Sequence, residues 1–242
     1  MTYSKSIKLY EDYGDGIGQV DYVQHMGSDV MFVNAARVSF GKSIKRMATA
    51  DEGLLQYMVN HKHTSPFEHG SITFRFKVPL PIRSQHHRHR TWSYNEISRR
   101  YTDINIEFHE PNKFRTQHKS NRQASNSDEL IDPWYIKPTG MWGPPPVRYS
   151  EEIKRRNADS LKFYESMIAD GICKEQAREV LPQATYTEYF GTVNLSNLLK
   201  FIDLRTHDGA QEEIVRVAKA CLEIATDLFP MTVNAYKEAK NG

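Results

Sequence analysis

The sequence has 242 residues, 39% of them apolar and 26% charged, and its 32 basic and 30 acidic side chains leave a net charge of +2. A chain of this length and ordinary composition buries a substantial core, and its balance excludes disorder, a general nucleic-acid binder and a membrane-surface binder, each of which needs a marked bias. The opening MTYSKSIKLYEDYG has no apolar signal region, no stretch approaches a membrane span, and Cys173 and Cys221 support neither a disulfide framework nor a cysteine zinc site, so a cytoplasmic protein is expected.

In chain order, residues 6 to 25 read as two strands around the turn Gly14-Asp15-Gly16-Ile17-Gly18. The glycines superficially resemble a dinucleotide loop, but a strand-like run follows them where that motif needs a helix, so no Rossmann domain is expected. Ser28 is placed to cap a helix running to about Gly41, and Thr49 to Glu52 reads as a capping box opening a second helix. From Ser71 to Ile82, Ile72, Phe74, Phe76, Val78 and Leu80 alternate with polar neighbours, which predicts a strand with one face buried. Ser93 to Glu96, taken alone, reads as another capping box.

Residues 109 to 149 are rich in Pro, Gly, Asn, Ser and Lys and read as a long irregular insertion within one domain spanning 1–242. Trp134, Tyr135, Met141 and Trp142 suggest that its second half packs on something. Ser150 is then expected to cap a helix ending near Gly171, and Lys174 to Leu181 a short helix stopped by Pro182. A strand from Tyr186 to Val193 follows, then a helix capped by Asn194 through Arg205, and a longer one capped by Asp208 with an apolar stripe through Leu228. Strands and helices do not alternate regularly, which favours an α+β fold over a doubly wound sheet.

The chemistry concentrates directly after the clearest strand. Residues 85–100, QHHRHRTWSYNEISRR, hold five arginines or histidines within the first six positions. Guanidinium forks match phosphate oxygens, so Arg88, Arg90, Arg99 and Arg100 with Gln85 can hold phosphate-bearing ligands. A solvated helix face is the plain alternative. It is weakened by the interleaved His86, His87, His89, Asn95 and Glu96, which offer donors and acceptors of many geometries and favour a ligand site.

Two other readings compete. Six of the ten histidines, His61, His63, His69, His86, His87 and His89, fall within 29 residues, which raises a metal-dependent hydrolase, although no paired ligands stand one helical turn apart in an HExxH pattern. Arginine and histidine beside Trp92 and Tyr94 raise a nucleic-acid module, although no basic whole-chain surface supports it.

The segment RHRTWSYNEISRR, Arg88 to Arg100, resembles the signature RHRxxSxNExSxR of flavin-dependent thymidylate synthases at every specified position. His63-Thr-Ser-Pro-Phe-Glu-His69 resembles that family's HxSxFEH segment, and AREVLP, TVN and FIDLR resemble its later landmarks in order. The resemblance implies helices packed around a twisted, mainly antiparallel sheet, a homotetramer with sites shared between subunits, and FAD held without a Rossmann domain. It implies reductive methylation of dUMP, with 5,10-methylenetetrahydrofolate as carbon donor and NADPH as the reductant of FAD.

By the same resemblance, Ser65, Arg88, His89, Arg90, Glu96, Asn194, Leu195, Ser196 and Lys200 contact FAD, and no metal is implied. Gln85, His86, His87, Arg88, Glu96, Ile97, Ser98, Arg99, Arg100, Arg178 and Arg205 are implied for dUMP. Arg205, in FIDLR, matches the residue that sits on the uracil carbonyl and favours loss of the ring N(3) proton, though alone it would read as a helix C-terminal arginine. Lys200 stands where the family commonly has Asn, and Gly209 where it commonly has His; His207 lies close by. Neither cysteine is expected in the chemistry: Cys221 sits on an apolar helix stripe, and Cys173 lies outside the matching segments.

Overall fold

The computed structural model describes residues 3–121, 124–136 and 145–241. Five antiparallel strands form the main sheet in the order β1-β2-β3-β9-β4: β1 (Ser6–Lys8), β2 (Gln19–Met26), β3 (Ser71–Pro79), β9 (Tyr186–Asn194) and β4 (Ser93–Glu96). Around it lie α1 (Asp29–Arg37), α2 (Thr49–Asn60), α3 (Leu80–His86), α4 (Tyr149–Ala169), α5 (Lys174–Ala177), α6 (Leu195–Arg205), α7 (Glu212–Leu228) and α8 (Pro230–Asn241). This is the expected α+β arrangement.

Strand β3 is the spine of the sheet because its alternation is clean. Ile72, Phe74, Phe76 and Val78 are fully buried on one face, and each such side chain contributes about 1.5–3 kcal/mol on leaving water. Its whole length pairs with β9, from Ser71 opposite Asn194 to Pro79 opposite Tyr186. The buried face meets Leu198, Phe201 and Ile202 of α6 and Val217, Ala218, Cys221 and Ile224 of α7 in one core. Strand β3 is shorter than the run to Ile82 that its alternation predicts. The chain turns into α3 with Pro81 in the first turn, where a missing N–H leaves nothing unpaired.

Several expected boundaries move for local reasons. Helix α2 begins with Ala48 as its cap, where Asp51 accepts the Ala48 N–H at 2.8 Å, so Thr49 is already helical. Ser150 lies inside α4 and donates to Asp132 at 2.6 Å, leaving Arg148 at the cap position. Helix α7 starts after Gln211 and not at Asp208, because Gly209 adopts φ +88° within the preceding turn. Ser93 opens no helix. Ser93–Glu96 is the edge strand β4, drawn into the sheet by pairing with β9.

The insertion is also more regular than its composition suggests. Within it β5 (Phe114–Gln117) pairs with β6 (Ser125–Ile131), and β7 (Trp134–Tyr135) with β8 (Val147–Arg148). Trp134 carries the Arg148 guanidinium 4.0 Å from its ring centre, whereas Met141 and Trp142 lie outside the described residues. Buried Asp29 joins opposite parts of the chain: its carboxylate accepts the N–H groups of Met231 and Thr232 at 3.1 and 3.0 Å and the Thr232 hydroxyl.

Candidate active site

The arginine and histidine segment leaves α3, turns, and returns as β4, so one short stretch crosses from the helical layer to the sheet edge. Gly191 of β9 lets it approach closely: a Cβ there would lie 2.9 Å from the Phe76 ring and 3.2 Å from Trp92. His86 is placed in the core. Its ring packs among Phe76, Trp92 and Phe201, its Nδ1 shares a hydrogen bond with the Tyr189 hydroxyl at 2.8 Å, and burial pushes its pKa well down. His87 stacks on Tyr94 with ring centres 4.0 Å apart. Both histidines were expected at dUMP, and His86 is closed off from solvent.

Arg205 ends α6 directly beside this loop. Its Nε donates to His89 Nε2 at 3.0 Å and its Nη2 to the Gln85 carbonyl at 3.1 Å. Burial, with Arg205 adding to it, lowers His89 to about 4, so the imidazole is neutral and can accept. Burial likewise pulls Arg205 below its usual range, without bringing it near neutrality. The result is a guanidinium fixed in plane and orientation by two neutral acceptors, with its full charge uncompensated.

Two open cavities hold other expected site residues, and Arg205, His89 and Gln85 line neither. The smaller, about 520 Å³, gathers Glu96, Ile97, Ser98, Arg99 and Arg178 from two separate segments, together with Arg83, Tyr186 and Thr187. Glu96 Oε1 accepts from Arg83 Nε at 3.0 Å and from the Thr187 hydroxyl at 2.7 Å, which leaves Oε2 for a ligand hydroxyl. Arg99 donates to the carbonyls of Ile104 and Asn105, and Arg178 to that of Glu175. Arg100 lies outside this cavity, 3.4 Å from Glu175.

The larger cavity, about 650 Å³, is lined by Ser196 and Lys200 of α6 with Met58, Phe67, Asp203 and Tyr236 among its other walls. Among the described residues Ser196 Oγ is buried there with no hydrogen-bond partner. Of the remaining expected flavin residues, Asn194 is committed to capping α6 through the Asn197 N–H at 2.9 Å, Leu195 is fully buried, and Ser65 is exposed. Arg88 and Arg90 are exposed, and neither guanidinium pairs with a described residue. His207 is exposed beside Gly209 in a separate hollow under the insertion.

Arg83 was missed in the sequence because it falls between the strand reading, which stops at Ile82, and the cluster, which begins at Gln85. Its pairing with Glu96, thirteen residues on, is set by tertiary structure. Asp203, Tyr236 and Lys240 at the larger cavity were likewise unread, the last two because α8 opens at Pro230, which after Leu228 looks like a helix end.

Residues 21–231, which include the arginine segment, the smaller cavity and Arg205, match the family described as thymidylate synthase complementing protein, and the chain belongs to that family. Its relatives are flavin-dependent thymidylate synthases. One from Thermus thermophilus is 37% identical over 221 residues, 91% of this chain and 76% of that one. Another from Thermosipho melanesiensis is 35% identical over 219 residues, 90% of each chain. A crystal structure of the UMP/dUMP methylase PolB from Streptomyces cacaoi, bound with 5-Br dUMP, is similar at a TM-score of 0.74 and 28% identity, covering 90% of this chain and 94% of that one.

Proposed function

We infer that this protein is a flavin-dependent thymidylate synthase, converting dUMP to dTMP with 5,10-methylenetetrahydrofolate as carbon donor and NADPH as reductant of FAD. The single observation that carries this reading is the Arg205 guanidinium, held in one orientation against the arginine segment by His89 and the Gln85 carbonyl. When bound, reduced FAD supplies the hydride that completes the methyl group.

The chain's own residues supply position and charge. Arg205 stabilises negative charge on the uracil as its N(3) proton leaves, and neutral His89 holds the fork without adding a second charge. Ser98, Arg99 and Arg178 form the cationic and hydroxyl lining for the dUMP phosphate, and Glu96 accepts from the sugar. The larger cavity suits the flavin: orphaned Ser196 Oγ offers a hydrogen bond and Lys200 a point charge for a phosphate. Arg88 and Arg90 project from their own subunit uncommitted, which supports a homotetramer with shared sites. Free Cys173 and Cys221 are consistent with a cytoplasmic setting, and among the described residues no helix is long and apolar enough to cross a membrane.

The deciding experiment measures release of label from uracil carbon 5 of dUMP by the purified protein with FAD, NADPH and the folate donor. Release that needs all three is the expected result. A colourless protein that releases no label under any combination refutes the reading, and light scattering of the active form tests the tetramer.

A further inference from the structure

Glu213 is a buried carboxylate in the first turn of α7. It accepts from Arg115 Nη2 at 2.8 Å, from the Tyr13 hydroxyl at 3.0 Å and from Gln211 Nε2 at 2.8 Å. Burial pushes its carboxyl up, but the Arg115 charge and the Gln211 hydrogen bond outweigh burial and hold it below the usual range. Glu213 is therefore ionised and can only accept.

That condition sets the sense of every amide beyond it. Gln211 must turn its NH₂ toward Glu213, which leaves its Oε1 as an acceptor, and Gln85 Nε2 donates to that oxygen at 2.5 Å. With the NH₂ of Gln85 directed at Gln211, its Oε1 is the end left for a ligand. The backbone carbonyl of the same residue anchors Arg205 Nη2. Reversing Gln211 would aim its oxygen at the carboxylate and its NH₂ at that of Gln85, and reversing Gln85 would aim its oxygen at the Gln211 Oε1.

We propose that Arg115, Glu213 and Gln211 are positioning residues that orient the Gln85 amide so that its Oε1 accepts from an N–H or hydroxyl of the nucleotide. The relay also braces the carbonyl that holds Arg205. None of the three, and not Gln85 itself, lines either cavity; Gln85 meets the centre through its carbonyl on Arg205, and among the described residues its Oε1 has no hydrogen-bond partner. Arg115 belongs to β5, which makes the insertion part of the device: it supplies the charge that keeps Glu213 ionised. Identifying the ligand as dUMP rests on the function proposed above.

A double-mutant cycle between Gln85→Ala and Gln211→Ala tests the relay, read by thermal unfolding of ligand-free protein and by calorimetric dUMP affinity of the flavin-loaded enzyme. Gln211→Ala is expected to weaken dUMP about tenfold in the wild-type background and less than about twofold in Gln85→Ala, with unfolding shifts that are also non-additive. Glu213→Gln, which fills the same volume but can donate, is expected to weaken dUMP similarly because the amides can then reverse. Equal losses in both backgrounds, or additive unfolding shifts, overturn the relay. Wild-type protein that is folded yet binds no dUMP refutes the dUMP reading instead, and the unfolding cycle still decides the relay.

Discussion

Replacing Arg205 by lysine separates charge from geometry at the proposed centre. The arginine uses Nε on His89 and Nη2 on Gln85, at 3.0 and 3.1 Å, and so presents the rest of its plane in one orientation. A lysine keeps the charge but has a single nitrogen, which can reach one of these acceptors and then has no fixed face for the uracil. Loss of one oriented donor to developing negative charge costs about 2.7–4 kcal/mol, so turnover in Arg205→Lys is expected to fall about 100- to 1,000-fold. The core side of α6 is untouched, so the variant should fold and retain its yellow flavin. The assay is label release from carbon 5 of dUMP at saturating substrate, with bound flavin measured by absorbance in the same sample. Wild-type turnover in a yellow Arg205→Lys protein would refute the reasoning, and loss of both flavin and fold would show that Arg205 is structural.

Three further outcomes follow from other parts of the molecule. Cys221 is fully buried, with burial pushing its thiol well up, and Cys173 is exposed and lines neither cavity, so Cys173→Ser with Cys221→Ala should keep FAD and most methylation; a folded, yellow double variant that makes no dTMP would make a thiol chemical. Asp29→Ala removes the acceptor for two N–H groups and a buried hydroxyl, and should cost about 1–3 kcal/mol in denaturant unfolding; an unchanged midpoint would show that α8 does not depend on this cap. Burial holds His86 and His89 below the usual histidine range, so the unfolded chain binds more protons than the folded one below about pH 6.5, down to about 4 for His89. Their contribution to stability is present above that window and lost as pH falls through it, and His89→Gln should flatten the fall in thermal midpoint; an unaltered slope would rule His89 out.

What could be read in advance depended on whether local pattern and tertiary demand agreed. Strands β3 and β9 were legible because their alternation records one buried face, and α6 because Asn194 caps it in the structure as in the sequence. Strand β4 was not, since Ser93 to Glu96 has the local chemistry of a helix start and becomes a strand only because β9 offers an edge. Strand β6 hides its nature in SNSDELI, a mostly exposed polar run with no apolar period to detect. At the candidate site, the motif marked one segment, but periodicity could not divide it. The β4–β9 register brings Glu96 beside Thr187, while the turn after α3 sends His86 inward and Arg88 outward.

The Asp29 tie carries a consequence for the order in which the enzyme is made. Its partners Met231 and Thr232 are synthesised 202 and 203 residues later, and the walls of the larger cavity are spread just as widely, from Met58 to Lys240. At about 5–20 residues per second, the ribosome needs roughly ten seconds or more to supply the second half of this wall after the first. Until then the apolar sides of α1 and α2 that later meet α8 wait uncovered, and the cofactor has only part of a container. On the proposed placement of the flavin in the larger cavity, its loading is a late event, because a nascent chain stalled before α8 lacks Tyr236 and Lys240 of that wall.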